Sequence, residues 1–383
     1  MMKIAFDGQL FLDNEKTGIA WNAHNLLMEL FKRSDHEYVL QCFQGRRSAA
    51  QMSLLEEYAQ AGCRIECCRW FSLTLYKLLW AVFPAPHRLF FRTKADVTQF
   101  FNYTVPPGVR GKRVTFVYDM SYKSCPQIVN KKTKRWLKLC MKKSCRHTEH
   151  IITISEFSKK EILKYLNVRK EQVTVIPCAV DHAAYHPHYT EEQIQSVLEK
   201  YGIAREYVLY LGTIEPRKNL ERLIGAYGRL CERMGLQAAP QLVLAGKRGW
   251  MCDGIYEKAR ALEAQDKILF TGYVAQEDSP VLMCGAKVFL FPSLYEGFGM
   301  PPLEAMACGT PVVASNTTSL PEVVGDAGIL ADPESEADIC RAMERLLTDS
   351  AQRERLGRLG LARASEYTWE RSAKLLLQVY ERL

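Results

Sequence analysis

Apolar residues in this chain fall into two kinds of segment. Short runs closed by glycine or small polar residues recur from the start: KIAFDG, then Tyr38 to Phe43, Arg113 to Val117, HIITIS and VTVIPCAVD. Runs of that length bounded by turn residues read as buried strands. Between them lie stretches with helical spacing, such as Trp21, Leu26, Leu27 and Leu30 after a loop holding Thr17, Gly18 and Ile19. SEF at Ser155 to Phe157, with Ser158 following, is a helix-start pattern. Past residue 200 the alternation begins again with YVLYLG, LVLAG, ILFTG, VFLFPS and PVVAS. Its first helix carries Leu220, Leu223, Ile224, Tyr227 and Leu230 on one stripe, with Asn219 in an N-cap position. Strand, glycine loop and helix in repetition predict doubly wound α/β units. The restart, in a chain of 383 residues, predicts two domains over 1–185 and 200–365 and a closing amphipathic helix within 366–383.

Composition leaves that picture in place. Hydrophobic residues make up 48% and charged residues 25%, the proportions of a globular protein. No run approaches the roughly 20 apolar residues of a membrane-spanning helix. The opening MMKIAFDGQL lacks the basic and apolar regions of a signal peptide, so a cytoplasmic location is expected. The longest apolar stretch, Trp70 to Phe83, contains Lys77 and predicts a buried helix, with an interfacial helix as the alternative. The cysteines number thirteen, are scattered and form no CxxC pair, which reads as reduced thiols rather than metal ligands or disulfides. The histidines between His182 and Tyr189 have no acidic or cysteine companions, so that segment reads as a linker.

Charge alters the picture more. The formal net charge is +8, yet Val105 to Lys170 alone holds seventeen Lys and Arg against four acidic residues. Such a stretch suits a phosphorylated substrate, an anionic membrane surface, nucleic acid, or a merely solvated helix face. Aromatics of the base-stacking kind are not interleaved with it, so nucleic acid is not expected as a partner.

The most informative chemistry lies in FPSLYEGFGMPPLEAMACGTPVVAS, from Phe291 to Ser315. It reads as a strand end, a glycine turn at Gly297, Phe298 and Gly299, a helix with Pro301 and Pro302 in its first turn and Gly309 past its end, and a second strand. A glycine turn feeding a helix N-terminus directs free N–H groups and the helix dipole at one spot, a ready place for a phosphate. Glu296 and Glu304 flank the turn; as anions they suit sugar hydroxyls at either end of a diphosphate better than the phosphates themselves. A second anion-directed place is TIEPRKN, where Arg217 and Lys218 stand before a helix at the end of YVLYLG.

The string EGFGMPPLEAMACGTPVV, with its glutamates eight apart, resembles the signature of the retaining GT-B glycosyltransferases of family 4, the glycosyl transferases group 1 type. GTIEPRKN and LPEVVGDAGILADP extend the resemblance strongly over Tyr207 to Pro333, and TGIAWN and SEFSK extend it more weakly over Thr17 to Ser158. It implies a GT-B architecture: two Rossmann-like domains facing across a cleft, the C-terminal one holding a nucleotide-diphosphate sugar and the N-terminal one an acceptor, with the last helix crossing back. Glu296 then orients the transferred sugar and Glu304 the ribose. Lys218, Arg217 and the Gly297–Gly299 turn face the diphosphate, and the backbone at Tyr273 and Val274 holds the base. The resemblance also implies catalysis without a metal or other cofactor, and no DxD motif occurs.

Three positions depart from the family pattern. Gly18 and Ile19 keep the loop beside the reacting sugar, but Ala20 replaces its second glycine. Thr213 stands where an arginine is common. Tyr118 replaces the histidine that faces the donor sugar, and a tyrosine is not a general base near neutral pH. The GTIEPRKN subtype points to mannosyl transfer from GDP-mannose onto a saccharide or polyprenyl-linked saccharide in polysaccharide biosynthesis, at the inner face of an anionic membrane. A UDP-sugar donor, a GT-B epimerase, and a non-enzymatic membrane or nucleic-acid binding module are the alternatives.

Overall fold

The computed structural model describes residues 1–12, 18–33, 35–44, 52–76 and 85–383. The chain divides into two units, one of Met1–Ala179 with Trp369–Leu383, the other of Val180–Thr368.

Seven parallel strands form the sheet of the first unit among the described residues: β1 (Lys3–Asp7), β2 (Glu37–Phe43), β3 (Arg64–Cys68), β4 (Val97–Phe100), β5 (Lys112–Phe116), β6 (His150–Thr153) and β7 (Val173–Val175). Their order is β3-β2-β1-β4-β5-β6-β7, so the winding reverses between β1 and β4. Ile4, Ala5 and Phe6 are fully buried, as strands covered on both faces require. VTVIPCAVD yields only a three-residue strand, because Pro177 has no N–H to offer a ladder.

Helix α1 (Gly18–Phe31) buries Ala23, Leu26, Leu27 and Leu30. The C-terminal helix Trp369–Glu381 packs against it, and the Tyr380 hydroxyl donates to Gln99 Oε1 at 3.1 Å. Helix α2 (Lys131–Arg146) turns Leu137, Cys140 and Met141 inward. Ser155 caps the following helix, accepting from the Ser158 N–H at 3.0 Å. Of the apolar stretch Trp70 to Phe83, residues 73–76 are helical; Trp70 is 69% exposed and stacks on Phe90, while Tyr76 is buried. The rest of that segment, Lys77 to Phe83, lies outside the described residues, as does Thr17.

The second unit repeats the plan with six parallel strands: β8 (Tyr207–Leu211), β9 (Gln241–Ala245), β10 (Ile268–Gly272), β11 (Val288–Phe291), β12 (Val312–Ser315) and β13 (Gly328–Ala331). The order β10-β9-β8-β11-β12-β13 reverses between β8 and β11. Helix α3 (Leu220–Met234) presents the expected apolar stripe, with Leu220, Leu223, Ile224, Tyr227 and Leu230 all buried. The expectation for Asn219 is corrected. It precedes the helix with a left-handed backbone (φ 61°) and makes no side-chain cap. Its amide instead donates to the carbonyls of Pro292 (3.0 Å) and Pro333 (2.7 Å), fixing three loops that a helix-end residue alone cannot reach.

Residues 182–189 are turns belonging to this unit, with the Tyr189 hydroxyl donating to the Ala184 carbonyl at 2.6 Å. The thirteen cysteines are all free thiols. No helix among the described residues is long and apolar enough to cross a membrane.

Candidate functional site

In an open α/β sheet, ligands gather outside the carboxyl ends of the strands where the winding reverses. In the second unit that place lies beyond β8 and β11. The loop after β8 reaches β11's loop through its backbone: Leu294 N–H donates to the Arg217 carbonyl at 2.9 Å. Pro216–Lys218 forms a tight 3-10 turn, and Asn219 closes it. The two cations are thereby presented directly to the glycine turn, 79 and 78 residues away in sequence.

Lys218 and Arg217 both bind Glu296. Lys218 Nζ lies 2.6 Å from one carboxylate oxygen and Arg217 Nη1 2.7 Å from the other. Arg217 also pairs with buried Glu215 at 2.9 Å and donates to the Tyr295 carbonyl at 2.9 Å. Lys218 sits 4.5 Å from the centre of the Phe291 ring, a cation–π contact. Burial alone would raise the Glu296 pKa, but Arg217 and Lys218 outweigh it and hold the carboxyl at about 2. Burial and repulsion from Arg217 draw Lys218 below the ordinary lysine value, against the attraction of Glu296. Each partner keeps the other charged. Two carboxylates and two cations therefore meet in a nearly closed, nearly neutral cluster.

The turn that follows is built to bring backbone close. Gly299 has φ 122° and precedes α4 (Met300–Ala307); a Cβ there would lie 2.7 Å from Leu320. Phe298 is buried, and its ring meets Tyr367 edge-on at 5.9 Å. The Ser319 hydroxyl lies 3.0 and 2.7 Å from the carbonyls of Glu296 and Phe298 and bridges the turn on its inner side. Gly309 ends α4 with φ 75°. Glu304, within α4, has no ion pair with a described residue, and burial pushes its carboxyl up to about 7. The two glutamates thus differ in charge state near neutrality, one fixed as an anion and one poised to titrate.

The remaining expected residues spread over both units. Thr213 is exposed beside this cluster, its carbonyl accepting from the Tyr210 hydroxyl at 3.0 Å. Val274 is buried behind exposed Tyr273, whose ring stands 4.6 Å from Lys247 Nζ. Gly18 lies in the first unit as the first residue of α1, and a Cβ there would meet nothing within 4 Å. Packing does not require that glycine. Tyr118, also in the first unit, is 5% exposed and stacks on Phe116 at 5.3 Å. Its hydroxyl is buried without a hydrogen-bond partner among the described residues, and burial raises the phenol well above its usual pKa. It can donate a hydrogen bond but cannot serve as a base near neutrality.

Sequence reasoning missed Glu215 and the pair Thr318 and Ser319. Thr318 has φ 59°, a costly conformation for a β-branched residue, and its Oγ1 accepts from the Glu296 N–H at 3.3 Å. The run SNTTSLPE was the available signal, since clustered Ser and Thr often bind nearby backbone.

Comparison with known proteins places these features in context. Residues 194–362 match the family Glycosyl transferases group 1, and residues 17–184 match Glycosyltransferase Family 4. The chain is 38% identical over 275 residues to the O-antigen chain mannosyltransferase B of Escherichia coli, covering 71% of each protein. It is 38% identical over 235 residues to the serotype-specific mannosyltransferase WbdA of the same organism, covering 61% of this chain and 29% of that longer one. The structure of Anabaena Alr3699/HepE in complex with UDP and glucose superimposes with a TM-score of 0.73 at 18% identity, over the full length of both chains.

Proposed function

This chain belongs to glycosyltransferase family 4, and from that premise we propose that it transfers mannose from GDP-mannose, with retention of configuration, to a saccharide acceptor in polysaccharide assembly. The choice of mannose follows the names of its 38%-identical relatives. One observation carries the assignment of residues: Glu296 is held ionised between Lys218 and Arg217 beside a glycine turn and a helix N-terminus.

In this reading the donor sugar's hydroxyls take over part of the bonding to Glu296. That exchange frees Lys218 and Arg217 to face the diphosphate, where the N–H groups at the start of α4 add to them. The bond from the anomeric carbon to phosphate breaks while the acceptor oxygen attacks from the same face, and the leaving phosphate oxygen takes the acceptor's proton. Glu304 accepts from the ribose, the backbone at Val274 from the base side, and Thr213 lies alongside. Tyr118 and Gly18 belong to the first unit's contribution, the tyrosine as a hydrogen-bond donor. The cations offset the leaving group's charge, so no metal is required of the mechanism.

The first unit then holds the acceptor. Helix α2 bears exposed Lys131, Lys132, Arg135, Lys138, Lys142, Lys143 and Arg146, no acidic residue, and Leu139 at 55% exposure. That face suits an anionic bilayer carrying a polyprenyl-linked acceptor. Vesicles of phosphatidylglycerol should sediment the protein at low salt and release it at high salt; no sedimentation would remove the membrane from the proposal.

Thermal shifts with GDP, UDP, ADP and dTDP test the donor. GDP should raise Tm most, equally with and without EDTA. A larger rise with UDP would reassign the donor, and loss of the shift in EDTA would put a metal in the site. Glu296→Gln should leave the fold intact and slow transfer at least about tenfold, some 1.4 kcal/mol of barrier; unchanged turnover would take Glu296 out of the site.

A further inference from the structure

Cys42 and Cys67 lie opposite each other in the sheet of the first unit. Strands β2 and β3 run parallel and pair Cys42 with Cys67 in register, as they pair Gln41 with Glu66 and Phe43 with Cys68. Side chains alternate across a sheet, so the two cysteines share one face, while Phe43 and Cys68 pack together on the other. On that other face Phe43 lines an aromatic pocket with His87, Phe91, Phe100 and Trp136. The sulfurs of Cys42 and Cys67 stand 3.1 Å apart. Neighbouring strands run about 4.8 Å apart. A disulfide joins Cα atoms roughly 4.4–6.8 Å apart, so these strands already hold a spacing that the bond accepts.

Position and charge make the pair unequal. Cys42 is buried within β2, whereas β3 is the edge strand of the sheet and leaves Cys67 half-buried. A hydrogen bond from the Cys42 thiol draws the Cys67 thiol down to about 7, and the Arg69 guanidinium adds to it against partial burial and the Glu66 carboxylate. Nearby thiols go the other way: burial pushes Cys68 above the ordinary thiol value and Cys63 up to about 12. The thiolate is the reactive form of cysteine, and a partly exposed one beside a cation is where oxidants act first. No spacing in the sequence marks this pair. Its members are 25 residues apart, and the parallel pairing of β2 with β3 joins them.

We propose that Cys42 and Cys67 form a peroxide-sensitive dithiol, a modification site in which Cys67 attacks and Cys42 resolves. The Cys67 thiolate sulfur attacks one peroxide oxygen and the O–O bond breaks, leaving a sulfenic acid on Cys67. The departing hydroxide takes up the proton that Cys67 released on ionising and becomes water. Cys42 Sγ then attacks the oxidised sulfur: the S–S bond forms, the S–O bond breaks, and the hydroxide leaves as a second water with the Cys42 proton. Two thiols thus give up two electrons, and one peroxide accepts them. The disulfide clasps the edge strand to its neighbour beside Phe43 and the aromatic pocket. This inference stands apart from the glycosyl-transfer reading.

The test treats the reduced full chain with hydrogen peroxide, blocks the remaining thiols with iodoacetamide and maps the tryptic peptides by mass without reductant. Cys42 lies in the tryptic peptide 34–46, and Cys67 and Cys68 lie in 65–69. The two peptides should appear joined, two hydrogens lighter than their sum, and separate after dithiothreitol. Cys68→Ser should keep the link and Cys67→Ser should lose it. A brief iodoacetamide pulse on the reduced folded chain should label 65–69 at least about fivefold faster in Cys68→Ser than in Cys67→Ser. In Cys42→Ala the sulfenic acid should persist and take dimedone on 65–69. No link in the parent, or a link that survives Cys67→Ser, would overturn the proposal. So would equal labelling of the two serine variants, or dimedone on Cys68 in place of Cys67. The parent and the two serine variants decide the matter even where Cys42→Ala does not fold.

Discussion

Beyond β8 and β11 in the second unit, four charged side chains meet and nearly cancel one another, whereas beyond β1 and β4 in the first the described walls are largely aromatic. Both places sit where a parallel sheet reverses its winding, and both are lined by loops that the sheet holds in register. The shared fold supplies a position, and the loops supply chemistry suited to different ligands. A cluster whose charges already pair can change partners when a diphosphate and a sugar arrive together. The same architecture gives a charged cluster in one unit and a largely aromatic pocket in the other.

The comparison breaks most visibly if the charges are removed. Lys218→Met leaves buried Glu296 with Arg217 alone, and losing one partner of a buried pair costs about 3–5 kcal/mol. A large fall in the urea midpoint is expected. Adding Glu296→Leu should recover much of that stability, since a well-packed apolar pair is often as stable as the ionic one it replaces. Transfer should remain absent in the double variant. If stability returns and activity does not, the cluster exists for function; recovery of activity as well would reduce the pair to a structural feature.

These residues show where sequence reading stops. The strands, the two-sheet plan and the turn at Gly297–Gly299 follow from local patterns of apolar runs, glycines and prolines. The pairing of Arg217 with both Glu215 and Glu296 does not, because it depends on two loops that only the finished sheet brings together. Asn219 shows the same limit: its position suggests a cap, yet its amide serves two distant carbonyls. Gln9, Tyr76 and Trp136 belong to no motif at all, and only the winding of the first sheet gathers them around one cavity.

Backbone packing separates the two units further. Gly246 follows β9 with φ 148°, and a Cβ there would stand 1.8 Å from the Gly212 carbonyl oxygen. Backbone cannot yield as a side chain can, so Gly246→Ala should cost about 3 kcal/mol and displace the loop carrying Arg217 and Lys218. Gly8, after β1, has its closest contact with the Leu40 side chain, at 2.8 Å from Cγ. Gly8→Ala should cost less, about 1–2 kcal/mol, because its closest neighbour is a side chain that can shift and the Gln41 carbonyl oxygen, at 3.2 Å, need give only slightly. Chemical denaturation of the two variants side by side checks this. Equal losses would mean that the close approach of Gly212 and Gly246 is not the constraint holding the loop of Arg217 and Lys218.

A pH-dependent contrast, its size cut by solvent screening, separates the two glutamates that flank the Gly297–Gly299 turn. An unfolded glutamate ionises near 4.5, Glu296 in the fold at about 2, and Glu304 at about 7. Glu296 therefore stabilises the fold at neutral pH, and its contribution is lost as pH falls from 4.5 towards 2. Glu304 acts in the opposite sense. Between pH 4.5 and 7 the folded state holds a proton that the unfolded state has released, so stability declines as pH rises through that window and is level above it. Glu304→Gln removes the decline. Measured in urea, the variant should gain on the parent between pH 4.5 and 8 by up to about 3 kcal/mol, less whatever solvent reaching the carboxyl screens away. The same substitution should weaken GDP binding, because an amide accepts from a ribose hydroxyl less strongly than a carboxylate does. A profile parallel to the parent's would mean Glu304 is already ionised in the empty site. The contrast between one fixed and one titrating carboxylate would then disappear.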